Sequence, residues 1–388
     1  MRFRLSSSII VLDCCRVCGG FRRLVSVLHH RHSPCWIGKG DDIGKVSELK
    51  GILEQLRRRK EAIPFSQLYA LSDLTREQMD EFRTAWVTLS TAERRRLIHA
   101  MVDLAESSFQ VNFDVIFRHC LADSDAEVRA LAIDGLWENE EVGLVGPLLS
   151  IVRADPSARV RAAAATGLGR FVLAGELERL EPAVQVRIVT ELLTTIHLVD
   201  ESVQVRRRAL ESAAYACTPE ALEALELAYF DDDDEMRISA IVGMGRSCDK
   251  RWADIVLAEL GSTSAAMRYE AALAAGELML RQAVPLLGRL LDDADPLLRD
   301  ATIWALGQIG GSQAKQMLLA AYEDADEDTR STLEEALAEQ ALSEGDLDFL
   351  LYEVDQEQED EFFDDELFSL WSTDDEDIDG LSDDDWEP

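Results

Sequence analysis

Seven arginines recur at a nearly constant interval along the middle of the chain, and this period constrains the fold more than any other feature. They are separated by 32, 45, 31, 31, 31 and 31 residues: Arg129, Arg161, Arg206, Arg237, Arg268, Arg299 and Arg330. A fixed period of this length is typical of stacked supersecondary units, each burying its apolar face against its neighbours. The period therefore predicts a repeat architecture, in which function belongs to an extended surface rather than to one pocket.

The residues around each arginine follow a helical pattern. An apolar residue precedes the arginine in most units, and small residues stand three and six positions after it, such as Ala240 and Gly243 after Arg237. At about 100° per residue these positions share one side of a helix with the arginine, which is therefore expected in the buried arc. A buried guanidinium needs an acidic partner, and acids precede most of these helices: Asp125, Asp155, Asp200, Asp234, Asp293, Asp295, Asp324 and Asp326.

Glycine recurs eight positions after the arginine, and we interpret it as a helix end: Gly169, Gly245, Gly276 and Gly307. A second apolar stretch follows each arginine segment, as in Ala221–Tyr229, so each unit is a pair of helices. The 45-residue interval holds extra residues, which we place around Phe171–Glu181 and in a longer helix from Pro182 to His197. The predicted fold is all-α, a superhelical α-solenoid of helix pairs.

The chain divides into four predicted parts. Residues 1–42 form a basic, cysteine-rich leader, residues 43–120 an N-terminal helical cap, residues 121–345 the solenoid, and residues 346–388 an acidic, disordered tail. Helices of the cap begin at the capping boxes Thr75-x-x-Gln78 and Ser90-x-x-Glu93. A stack needs such an atypical end unit to cover its first apolar face.

Charge is distributed unevenly along the chain. The net charge is −36, with +6 on residues 1–40, −18 on residues 41–330 and −24 on residues 331–388. An acidic body repels phosphates, so we expect no nucleic-acid binding, and no apolar run is long enough to predict a membrane span. Four of the seven cysteines lie near the N-terminus and the other three stand singly in helical stretches. This odd number and scattered placement do not resemble a disulfide framework, which favours the cytoplasm.

The leader admits several interpretations. Its basic residues suit a secretory signal or a transit peptide, although Asp13 interrupts the short apolar core and no cleavage site follows. Cys15, Cys18, His32 and Cys35 offer four ligands at a spacing that tetrahedral Zn²⁺ accepts. We favour a disordered leader, or translation from an upstream start codon with the protein beginning near Ile43.

The pattern Asp-x-x-Val-Arg-x-x-Ala-x-x-Ala-Leu-Gly resembles HEAT repeats of the short class named after phycobilisome lyases. The best matches are Asp125–Leu136, Pro156–Gly169, Asp234–Gly245 and Asp295–Gly307, and the resemblance covers about residues 121–340. It implies that the arginine-bearing helix lines the concave face of a binding scaffold. Deoxyhypusine hydroxylases among HEAT-like proteins bind iron through His-Glu pairs, but His99, His119 and His197 are not followed by glutamate here. We expect no catalytic residues and no cofactor.

Positions one, two and five after the arginine face away from the predicted core. Across three neighbouring repeats they hold apolar residues beside two acids: Ile238, Val242, Tyr269, Leu273 and Trp304, with Glu270 and Asp300. Such a stripe predicts a groove for a peptide or helix of a partner. Alternatively, curvature of the stack or the chain's own tail covers it. The tail itself suits a solubilising role, or docking onto a partner or into this groove.

These patterns predict a non-catalytic scaffold that binds a protein or peptide partner along the concave face. The competing interpretations are a subunit of a chromophore-lyase-like enzyme and a zinc-binding protein acting through the leader. The sequence indicates neither the identity of the partner nor the oligomeric state.

Overall fold

The computed structural model describes Gly51 and residues 65–344, and this part of the chain is helical with no β-strand. The leader, with the candidate zinc ligands Cys15, Cys18, His32 and Cys35, and the tail at residues 346–388 lie outside the described residues. Within the described ranges, no helix combines the length and the apolar character that crossing a bilayer requires.

Four helices precede the repeats: α1 (Phe65–Leu68), α2 (Arg76–Trp86), α3 (Thr91–Ser107) and α4 (Asp114–Cys120). Both predicted capping boxes are present. The Thr75 side chain accepts a hydrogen bond from the backbone N–H of Gln78, and the Gln78 side chain accepts one from the backbone N–H of Thr75. Ser90 and Glu93 form the same pair of hydrogen bonds. Helix α3 packs on α5 (Ala126–Gly135), the first repeat helix.

The repeats follow as helix pairs: α5 (Ala126–Gly135), α6 (Val145–Ala154), α7 (Ala158–Glu176), α8 (Pro182–Ile196), α9 (Val203–Ala213), α10 (Pro219–Tyr229), α11 (Asp234–Arg246), α12 (Ala253–Glu259), α13 (Ala265–Glu277), α14 (Val284–Leu290), α15 (Pro296–Ile309), α16 (Ser312–Asp324) and α17 (Glu327–Glu344). The odd-numbered helices from α5 to α17 carry the seven arginines, and we call them ladder helices. The even-numbered helices from α6 to α16 form a second layer. The long interval is accommodated by extension of α7 and α8.

Each ladder helix packs against the next one along the whole stack, whereas neighbouring helices of the second layer contact each other less. The positions three residues after the ladder arginines are fully buried in this contact: Ala132, Ala164, Ala209, Ala240, Ala271, Thr302 and Leu333. In a curved stack, neighbouring helices of the inner layer lie closer together than those of the outer layer. The ladder helices show this closer packing.

Three ladder arginines donate to the acid that precedes the next ladder helix: Arg129 to Asp155, Arg161 to Glu201 and Arg268 to Asp293. Arg206 forms a longer ion pair of 3.6 Å with Asp231. Arg129, Arg161, Arg268 and Arg299 also donate to the carbonyl oxygen six residues earlier, at 2.7–3.1 Å. Arg129, Arg161 and Arg268 thus bond both their own repeat and the following one. The acid in the long repeat is Glu201 rather than the expected Asp200, because the carboxylate of Glu201 is the one that reaches Arg161.

Two ladder arginines depart from the predicted buried arc. Arg237 is exposed and pairs only with Asp234 of its own helix, because the position where its acceptor would stand holds Ser262. Arg330 is also exposed, and its guanidinium lies 5.6 Å from the centre of the Tyr322 ring. The ladder is therefore interrupted between α11 and α13.

Gly245, Gly276 and Gly307 stand one or two residues before the end of their helices, close to the predicted position, whereas Gly169 lies inside α7. They lie within ladder helices, and a Cβ atom added to Gly245, Gly276 or Gly307 would stand about 3 Å from the Cα atom of a small residue on the next ladder helix. Their role is thus close approach between helices rather than helix termination. The left-handed residue at the end of the unit comes three positions later, at Cys217, Cys248, Met279 and Gly310.

Candidate functional site

The outward side of four consecutive ladder helices, α9, α11, α13 and α15, forms one surface, which we call the ladder face. It is drawn from residues one, two, five and nine positions after the ladder arginines: Arg207, Arg208, Glu211, Tyr215, Ile238, Ser239, Val242, Arg246, Tyr269, Glu270, Leu273, Glu277, Asp300 and Trp304. Of these, Glu211 and Ser239 are buried beneath the others. All seven residues predicted to bind a partner lie on it. The structure places them on three successive ladder helices, α11, α13 and α15, which pack against one another.

The predicted apolar residues are half-buried rather than fully exposed. Ile238, Tyr269, Leu273 and Trp304 each pack partly against the hydrophobic core. The Trp304 ring covers Gly276, where an added Cβ would come within 2.6 Å of the ring atom Cζ3. These side chains thus stand in fixed positions, with part of each surface left open to solvent.

At the α9 end of the ladder face, the charged groups satisfy one another. The buried Glu211 accepts from the Ser239 hydroxyl at 2.6 Å and from Arg208 on its own helix. Arg207 donates to the same hydroxyl at 2.8 Å and pairs with Glu235. This network links α9 to α11 at the step where Arg206 contributes only a long ion pair of 3.6 Å.

Arg246 lies beside this network. Its Nη1 donates to the carbonyl oxygen of Glu211 at 3.0 Å, and its guanidinium lies 5.3 Å from the centre of the Tyr215 ring. The distance from Arg246 to the Glu211 carboxylate is 3.9 Å. Arg246 is therefore held at the α9 side of the face by two residues of that repeat.

The carboxyl groups on the α13 side of the ladder face have raised pKa values. Burial raises the pKa of Glu270 to about 7, with the Glu211 charge adding to the rise and Arg246, Arg208 and Arg207 opposing it. Burial likewise raises the pKa of Glu277 to about 7, against the attraction of Arg246. No described cation lies within ion-pair distance of either carboxylate. Burial also raises the pKa of Asp300 on α15.

Sequence reasoning missed Ser239, Tyr215, Arg246 and Glu277, which belong to the ladder face. Three of them stand nine positions after a ladder arginine, and nine residues turn a helix to about 180°, in the middle of the outward arc. Extending the helical wheel by one more turn would have found them. Their contacts across α9, α11 and α13 depend on the stacking and are not encoded in the period.

The rest of the described chain has fewer features that could form a functional site. No group of three or more histidine, cysteine, aspartate or glutamate side chains between residues 65 and 344 is arranged to hold a metal ion. A pocket lies between the cap and α5, next to Asp114, Trp137 and Asn139. Its polar groups bond one another, since the amide of Asn139 donates to Asp114 and accepts from Arg118. These hydrogen bonds therefore hold the cap against the first repeat.

The fold and the ladder face define the chain as an α-solenoid with a mixed apolar and charged surface on its closely packed layer. Residues 253–338 match the family model described as HEAT repeats. Over these residues the chain therefore matches HEAT repeats, as the sequence pattern predicts. The match does not distinguish the phycobilisome-lyase-like class from other HEAT repeats, so that subclass stays a prediction.

Solved structures that resemble this chain do so at low sequence identity. The YibA protein of Escherichia coli is 17% identical, with 63% of this chain and 95% of that one covered and a TM-score of 0.37. Human deoxyhypusine hydroxylase is 16% identical over 78% and 99%, with a TM-score of 0.30. Importin beta is 16% identical over 77% and 48%, with a TM-score of 0.41. At these values the likeness carries no statement about function. None of the curated proteins matches the chain.

Proposed function

We propose that this HEAT-repeat protein is a non-catalytic scaffold that binds a protein or peptide partner along the ladder face. The anchors are Tyr269 and Trp304, with Ile238, Val242 and Leu273 completing the apolar stripe and Glu270 and Asp300 forming its acidic edge.

The observation that supports this proposal most is the half-buried state of the stripe. Tyr269 and Trp304 are held by packing on the core, yet each keeps part of its ring open. Aromatic side chains fixed in this way lose little conformational entropy on binding, and such residues dominate binding energy at protein interfaces.

Site-directed photocrosslinking tests the binding face. We would replace Tyr269 with the photoreactive residue p-benzoylphenylalanine and compare it with the same replacement of Phe230. Phe230 follows a helix of the second layer and is 73% exposed, so it is the more accessible of the two positions. We expect a discrete adduct with a partner from position 269 and none from position 230.

A pair of double alanine variants provides the matched control. Tyr269→Ala/Trp304→Ala should lose the partner, whereas Leu227→Ala/Phe230→Ala, which removes two exposed apolar side chains from the second layer, should retain it. Retention of the partner by both variants would contradict the proposal.

We also place the scaffold in the cytoplasm. The thiols of Cys120 and Cys248 are not engaged in disulfides, as is usual in a reducing compartment. Fractionation of cells that express the tagged full-length chain tests this, and recovery from an oxidising compartment would contradict it.

A further inference from the structure

The two ends of the ladder face differ in how their charges are satisfied. Toward α9, Arg207, Arg208 and Arg246 are all engaged with groups of the protein itself. Toward α13 and α15, no described cation lies within ion-pair distance of Glu270, Glu277 or Asp300. At the basic end of the face, the arginines therefore bond groups of the protein itself. At the acidic end, no described cation forms an ion pair with the carboxylates.

The acidic end is half-buried, which makes the missing counterparts costly. Removing a carboxylate from water disfavours its charged form unless a cation or hydrogen-bond donors replace the lost hydration. Both glutamates show the consequence, since burial raises the pKa of each to about 7. A cation placed beside either carboxylate would recover part of this unfavourable energy.

Two aromatic residues of the ladder face are near neighbours of these glutamates, one along α13 and one across the contact between α13 and α15. Tyr269 precedes Glu270 on α13, and the Trp304 ring lies over Gly276, the residue before Glu277. An ammonium or guanidinium group is attracted both to a carboxylate and to the face of an aromatic ring. A face that carries both half-buried carboxylates and half-buried aromatic rings is therefore complementary to a lysine or arginine side chain.

We propose that the acidic end of the ladder face, formed by Tyr269, Glu270, Glu277 and Trp304, receives a lysine or arginine side chain from a basic, partly apolar peptide segment of a partner. This inference rests on the proposed function and specifies the chemistry of the partner. Residues 41–330 carry a net charge of −18, which also favours a basic segment over an acidic one.

A synthetic peptide tests the inference without a known partner. The probe is a short fluorescein-labelled peptide of alternating leucine and arginine, and its twin carries citrulline, which has the same shape but no charge, in place of each arginine. Fluorescence anisotropy with the full-length protein measures both affinities. We expect the arginine peptide to bind more tightly than the citrulline twin, and equal affinities would overturn the proposal.

Matched variants separate the site from the overall negative charge. Glu270→Gln/Glu277→Gln removes two charges from the ladder face, and Glu223→Gln/Glu226→Gln removes two exposed charges from α10 in the second layer. The first variant should weaken the arginine peptide about tenfold and the second less than about twofold. Equal weakening would show that binding is non-specific attraction and would overturn the inference.

Proton release gives a readout that a structural role would not produce. A cation beside Glu270 and Glu277 lowers their pKa values, so binding near pH 7 should release protons in the wild type but not in Glu270→Gln/Glu277→Gln. Calorimetry in buffers of different ionisation enthalpy measures this release, and its absence in the wild type would count against the site.

Different results would contradict the proposed function and the proposed charge recognition. If crosslinking at position 269 captures no partner, the proposed function is wrong. If it captures a partner that Glu270→Gln/Glu277→Gln binds as well as the wild type does, only the charge recognition is wrong. An intramolecular crosslink from position 269 to residues 346–388 would instead identify the chain's own tail as the occupant.

Discussion

Arg129 and Asp155 form a bidentate ion pair between successive repeats, with the Nε and Nη2 atoms of Arg129 donating at 2.7 and 2.8 Å. The side chains are only 10% and 7% exposed. Asp155 also accepts from the backbone nitrogen of Ser157, which shapes the turn before α7. One carboxylate thus organises its own repeat and holds the preceding one.

Substitution of this acid should destabilise the stack strongly. In Asp155→Asn the amide can keep the turn with Ser157, but the Arg129 charge is left buried without its partner. We expect a loss of about 3 kcal/mol in the free energy of unfolding, measured by urea denaturation. The matched control is Asp234→Asn, which breaks the exposed pair with Arg237 and should cost less than about 1 kcal/mol. Similar losses in both variants would show that burial of the pair does not matter.

The interrupted ladder step can be restored. Ser262 stands where the other repeats carry an acid, so Ser262→Asp should accept from Arg237 and form the turn that Asp293 makes with the backbone of Asp295. We expect a gain of about 0.5–1 kcal/mol in the free energy of unfolding. Combination with Arg237→Gln separates the two effects. If the gain persists in that background, it comes from the turn and not from the ion pair.

The end of α13 should tolerate glycine better than its native residue. Met279 has φ 49°, in the left-handed region, and its side chain is 58% exposed, so little packing would be lost. The next repeat already has Gly310 at the equivalent position. We expect Met279→Gly to stabilise the protein by about 0.5–1 kcal/mol in thermal unfolding. Met279→Ala keeps the Cβ atom and should give no gain; an equal gain from alanine would rule out relief of backbone strain.

Stability should depend on pH through the ladder face. The pKa values of Glu270 and Glu277 are about 7 in the folded protein against 4.5 for an ordinary glutamate. Between these values the folded state binds more protons than the unfolded state, so stability falls as pH rises from about 4.5 to 7 and levels off above. We expect about 1–3 kcal/mol from each carboxyl group.

Urea denaturation across this pH range checks the expectation. Glu270→Gln/Glu277→Gln should lose this component of the pH dependence and be more stable than the wild type at pH 8. Glu223→Gln/Glu226→Gln, with both positions exposed on α10, should follow the wild-type profile. Parallel profiles for all three proteins would contradict the unfavourable burial of the two ladder-face carboxyls.

The sequence by itself determined the repeat architecture. The arginine period, the small residues three and six positions later and the capping boxes are local signals, and a helix wheel is enough to show which side of each helix is buried. The same helical wheel, which uses residue spacing alone, places Tyr269, Glu270 and Trp304 on one outward side.

Only the tertiary structure decided which groups meet between repeats. It showed that Arg161 bonds Glu201, that Arg237 has lost its acceptor to Ser262, and that Gly276 serves the approach of Trp304. It also separated the satisfied charges of α9 from Glu270 and Glu277. These outcomes depend on the distance and rotation between stacked helices, which follow from side-chain packing across the interface and not from the spacing of residues along one helix.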